Sequence, residues 1–175
     1  MKRLSALAVA ALTAAVFAAP GRADEPTILR DLQVHQVVQD VDVCGDFGVV
    51  WDINITADIF TFFDSNGVRV RQVIHIHEDN TITNTVSGLT LREGPDSFTQ
   101  TTYFLPGGIG VDYIVATGLQ ASVGNDVRDV GRVVLEPLGM GRFDLVFAAG
   151  PHPIREAADD GTLADALAGF CDVLS

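Results

Sequence analysis

The stretch "ADIFTFFDSNGVRVRQVIHIHE", residues 57–78, decides how the chain reads. Asn66-Gly67 lies between two β-rich runs, the strongest short hairpin signal there is, because a two-residue turn favours positive φ at both central positions. Centring the turn there sets Asp64 opposite Arg69, Phe62 opposite Arg71, Phe60 opposite Val73, Asp58 opposite His75 and Thr56 opposite His77. The other phase pairs Phe63 with Val70, Thr61 with Gln72, Ile59 with Ile74 and Ala57 with Ile76. This register yields an opposite-charge pair, an Arg–Phe stack and an apolar row together, which a one-residue slip would destroy. Side chains alternate across a strand. Ile59, Phe63, Val70, Ile74 and Ile76 therefore form the core side. Asp58, Asp64, Arg69, Arg71, His75 and His77 form the polar side.

The pattern continues outward. Short β-rich runs occupy 48–56, 57–64, 68–78, 81–86, 89–93, 97–104, 111–117, 130–136 and 142–148. Turn clusters such as "SNG", "DN", "SG", "GPD" and "LPGGIG" fall between them. That spacing predicts an antiparallel barrel or sandwich. The absence of intervening helical pattern disfavours a parallel α/β sheet. Residues 24–46 have no clean period and form a lead-in, helical or extended. Near the other end, Leu163, Leu167, Phe170 and Leu174 recur at helical spacing, predicting a short amphipathic helix over Thr162–Val173. The fold expected is mainly β: one antiparallel barrel of about 8–9 strands with a short C-terminal α-helix.

The ends bound the compartment. "MKRLSALAVAALTAAVFAAPGRA" has a basic start, an apolar run too short for a comfortable span, and small residues at its close. Residues 1–23 are expected to be a secretory signal peptide cut before Asp24, leaving 24–175 as one domain and the protein secreted. Beyond Ala23 the chain holds eight Arg and no Lys against 23 acids. Such a surface repels phosphate backbones, so nucleic acid is not an expected partner. No later run is long and apolar enough to span a bilayer. Cys44 and Cys171 are the two cysteines, and in an exported chain an even pair reads as one disulfide. A loop of about 127 residues closed in this way gains roughly 4–5 kcal/mol in the chain-entropy treatment.

His75 and His77 share a face, with Asp58 opposite the first. Two His on one strand face plus a carboxylate is the beginning of a metal site, and Asp58 would serve as third ligand or as an orienting partner. The competing reading is a solvated face, in which the two histidines alternate with buried Ile74 and Ile76. No Gly-x-Ser-x-Gly element is present, "PGGIG" (106–110) opens a strand rather than a helix, and "GNDVRD" (124–129) lacks EF-hand spacing. Trp51, Phe98, Phe104, Tyr113, Phe143 and Phe147 are candidate ligand-lining residues, since a closed barrel either packs solid or holds one small ligand.

The signal-like start, "VCGDFGV" leading into the strands, the "GL" and "GRVV" segments and the closing "FCDVLS" resemble small secreted actinobacterial proteins of unknown function. That resemblance implies the same Cys44–Cys171 pairing and no particular activity. The architecture is also similar to lipocalin-like barrels, and His75-x-His77 resembles the start of a cupin metal site. The function expected is therefore a secreted, non-catalytic barrel that binds a small apolar ligand or acts as a surface interaction module. The alternative is a cupin-like metal-binding or cyclase-like barrel enzyme using His75 and His77; no other cofactor is expected.

Overall fold

The computed structural model describes residues 25–40, 44–123, 127–139, 142–152, 171, 172, 174 and 175. Seven strands follow in chain order: β1 (Thr27–Asp40), β2 (Val49–Phe63), β3 (Arg69–Asn84), β4 (Thr90–Phe104), β5 (Val111–Val123), β6 (Val127–Gly139) and β7 (Arg142–Ala149). They form one antiparallel sheet whose spatial order equals the chain order.

This corrects the expected barrel of 8–9 strands. The strands are fewer and longer, and β1 and β7 stand at opposite edges of an open sheet. The reason lies in two supposed turns. "DN" and "GPD" face each other inside a continuous β3–β4 ladder: Glu78 pairs with Asp96 and Asn80 with Glu93, with a register shift between. Asp79 on one strand and Gly94-Pro95 on the other are the inserted residues, so both clusters are bulges. Gly94 has φ +97, and a Cβ there would lie 2.9 Å from the carbonyl oxygen of Glu78. Only glycine fits so close an approach.

The lead-in becomes β1. Its lack of period also has a bulge as its cause. Leu29 pairs with Ile59 and Leu32 with Ala57, so two inward residues stand three apart and the phase flips between them. Asp31, at φ 53, makes the turn.

The hairpin register holds over most of its length, with Phe62–Arg71, Phe60–Val73, Asp58–His75 and Thr56–His77 paired as expected. Near the turn it differs. Asp64 N–H donates to Val68 O and Gly67 N–H to Asp64 O, so the loop has three residues closed by left-handed Gly67. A turn followed by a left-handed glycine is the next commonest hairpin after the two-residue kind. The extra residue puts Phe63 opposite Arg69, and a shift before Phe62 restores the register. Val70 is displaced to the surface, 41% exposed, rather than joining the core side. Asp64 does not meet Arg69; its carboxylate accepts the N–H groups of Asn66 and Val68 and is held below the usual carboxylate range, first by Val68.

The inner face carries two apolar clusters. Ala57, Ile59 and Ile74 pack with Leu29, Leu32, Ile55 and Ile76. Val49, Ile82 and Leu174 pack with Trp51, Phe47 and Leu91 around the Cys44–Cys171 disulfide. Leu174 is fully buried, and Asn84 Nδ2 donates to its carbonyl at 2.8 Å. The chain's end is thus fastened beside the start of β2. The seven elements are all strands, and among the described residues only Cys171, Asp172 and Leu174 are helical. Of the helix expected over Thr162–Val173, all but Cys171 and Asp172 lies outside the described residues, as does the expected signal segment.

Candidate functional site

The outer face of β1–β3 holds the residues singled out for a metal. His75 and His77 are both exposed. His75 Nδ1 is hydrogen-bonded to Thr99 Oγ1 at 2.9 Å, and its ring meets Phe60 edge-on, with centroids 5.4 Å apart. Asp58 turns the other way, to β1. It accepts the N–H of Asp31 at 3.0 Å and pairs with Arg30 at 2.8 Å. The Asp31 N–H, ahead of the Arg30 charge, holds its carboxyl below the ordinary value. The bulge that broke the period of β1 thus also engages the proposed third ligand. Among the described residues no three His, Cys, Asp or Glu side chains are grouped to hold a metal ion.

His77 instead lines a shallow pocket of about 300 Å³. The β1 and β2 side supplies Gln33, His35, Asn54 and Thr56; the β3 and β4 side supplies Glu78, Asp79 and Pro95. Its polar groups are already oriented. Thr56 Oγ1 donates to Gln33 Oε1 at 3.1 Å. Asp52 Oδ1 accepts from Asn54 Nδ2 at 3.0 Å and lies 2.8 Å from His35 Nε2. Arg92 grips Asp79 through two bonds of 2.6 and 2.7 Å, and the Arg92 hydrogen bonds hold that carboxyl below its usual range.

Behind the pocket the bulges place a carboxyl cluster in the inner face. Asn80 Nδ2 donates to Glu78 at 3.4 Å and to Glu93 at 3.3 Å, while its Oδ1 accepts the N–H of Asn54 at 3.0 Å. Asp96 accepts both the hydroxyl and the N–H of Ser122. Burial is the first cause that raises all three acids; the Asp96 charge also raises Glu78 and Glu93, and the Glu78 charge raises Glu93. Glu93 is pushed up to about 7. Two charges so close in a poorly solvated place disfavour full ionisation.

Pattern reading passed over these residues because "DN" and "GPD" read as turns, which left Glu78 and Glu93 at the ends of separate strands. A signal existed: Gln72, Ile74, Glu78, Asn80, Ile82 and Asn84 share an even-numbered inward phase, and Ile76 belongs to it. Alternation that runs through a turn cluster marks a strand.

The six aromatic candidates do not converge. Trp51 packs against the Val49 cluster. Phe98 pairs with Ile76 and Gly118. Phe104 lies under the Arg69 guanidinium, 3.8 Å from its centroid, and Tyr113 stacks on Tyr103 at 4.3 Å. Phe143 pairs with Pro137 on the β6–β7 ladder, and Phe147 is 50% exposed. None of the six lines the pocket.

Comparison with protein-family models, with curated proteins and with solved structures returns no match to this chain.

Proposed function

We propose that the protein is an exported, non-catalytic binding module whose ligand is a small, uncharged, hydroxyl-rich molecule held in the β1–β3 pocket. The observation that carries this is the lining. Two amides, a hydroxyl and two imidazoles present both donors and acceptors around one concavity, beside Glu78 and the Arg92-paired Asp79, with Val34 and Pro95 as its apolar part. The open sheet withdraws support from an apolar ligand enclosed by a barrel. The disulfide is consistent with an oxidising compartment, and the signal-like first 23 residues supply a route to it.

Titration of the whole chain with neutral mono- and disaccharides, followed by amide NMR, tests the reading. Saturable shifts at Gln33, Asn54, Thr56 and His77, weakened about tenfold by Asn54→Ala, are expected. Shifts with fatty acids but not with saccharides would reject it.

A second reading rests on Glu78, which borders the same pocket as His77 while its raised carboxyl lies behind it with Asn80. Carboxyls raised by burial beside a pocket are candidate general acids, so the pocket would then be catalytic. Glu78→Gln separates the two: a binding site keeps its affinity, whereas an enzyme keeps affinity and loses turnover.

A further inference from the structure

The same outer face, at the far end of the strands from the pocket, carries a row that neither reading uses. The ladder sets Phe62, Arg71, Tyr103 and Tyr113 side by side on β2, β3, β4 and β5. The Arg71 guanidinium carbon lies over the Phe62 ring, 4.0 Å from its centroid. Tyr103 and Tyr113 stack at 4.3 Å and 18°. The Tyr113 hydroxyl is hydrogen-bonded with Tyr103, and burial first, then Tyr103, keeps its pKa above the ordinary value, while Arg132, opposite Thr117 further along β5, acts on it only through its charge. On β3, six residues separate Arg71 from His77, or about 20 Å of extended chain.

Charge distribution makes the row unusual. The chain has 23 acids, yet among the described residues neither Arg71 nor Arg132 forms an ion pair. Arg71 is positioned by a ring instead. A guanidinium that rests on an aromatic face rather than on a carboxylate keeps N–H donors for a planar two-oxygen acceptor. The stacked tyrosines add phenol donors beside it. Asp112, adjacent in sequence, is the one acid acting on Tyr113. A long polyanion is disfavoured, because a net charge of −12 would repel its remaining charges.

We propose that Arg71, Tyr103 and Tyr113 form a binding site for the carboxylate of a small organic acid. The guanidinium N–H groups of Arg71 hold the two oxygens, and the hydrogen-bonded Tyr103–Tyr113 hydroxyl pair offers a phenol donor alongside. The site is independent of the polar pocket, so either proposal survives failure of the other.

Sodium benzoate is the probe, added to the whole chain and followed by amide NMR with sodium sulfate as a parallel arm. Saturable shifts at Arg71, Tyr103 and Tyr113 with benzoate, and none at His77 or Asn54, support the site. Arg71→Gln should weaken binding at least about tenfold, and Arg71→Lys should fail to restore it because an ammonium lacks the planar fork. Should Arg71→Gln not fold, Tyr103→Phe removes one donor while keeping the stack, and should weaken binding several-fold. No saturable shift up to about 20 mM benzoate overturns the proposal. Equal or stronger binding of sulfate overturns it too, as does benzoate affinity unchanged in both variants.

Discussion

At the scale of single residues, Glu93 is the most informative side chain. Its folded-state pKa of about 7 lies above the ordinary 4.5, so the folded protein holds this proton more tightly than the unfolded chain does. The resulting stabilisation is full below about pH 4.5 and is lost as pH rises through about 7. Glu78 and Asp96 are shifted the same way. Asp58, Asp64 and Asp79 are shifted oppositely; their contribution holds above the ordinary 3.8 and fades as pH falls below it. Stability is therefore expected to peak at mildly acidic pH and to decline between pH 5 and 8. The decline due to Glu93 is on the order of 3 kcal/mol, at 1.36 kcal/mol per unit. Urea unfolding at a series of pH values should show Glu93→Gln flatter than the parent and more stable at pH 8. Equal slopes for the two proteins would mean the carboxyl is not buried with its neighbours.

At the scale of elements, the β3–β4 bulge pair does the positioning. It keeps Glu78, Asn80 and Glu93 on the inner face while setting Asp79 and Pro95 at the rim of the pocket. Gly94→Ala tests this. A Cβ at φ +97 and 2.9 Å from a carbonyl strains the backbone, and the cost should be about 1–3 kcal/mol in urea unfolding. The β2–β3 hairpin shows how a register survives a wrongly read turn. The three-residue loop and the shift before Phe62 compensate, so every pair from Phe62–Arg71 onward falls where Asn66-Gly67 predicted. What could not be foreseen was Val70, because a bulge moves one residue out of phase without leaving a mark in the local pattern.

For the whole molecule, the disulfide joins Cys44, between β1 and β2, to Cys171 across a separation of 127 residues. Together with buried Leu174 it covers Val49 and Ile82 at one end of the inner face. Cys44→Ser with Cys171→Ser should cost about 2–5 kcal/mol in denaturant unfolding. The loss should exceed that of Leu174→Ala, which removes the packing but keeps the covalent link. An unchanged midpoint in the double variant would show that the end contributes little.

Some of this was legible in the residues alone. Period-two alternation gave strand identity, because a half-buried strand must put apolar groups on one face. Cysteine parity pointed to the bond, and Asn66-Gly67 located a hairpin whose central register follows from matching two apolar faces. The site was not legible, and neither was the open sheet. Bulges look like turns in a sequence, because both need glycine, proline, asparagine or aspartate for unusual φ. Whether such a cluster ends a strand or kinks it depends on what the neighbouring strand places opposite. Closure depends likewise on whether the first and last strands meet after all intervening twist. Both are long-range outcomes, and tertiary packing alone brought the pocket, the Glu78–Glu93–Asp96 cluster and the Arg71–Tyr103–Tyr113 row together.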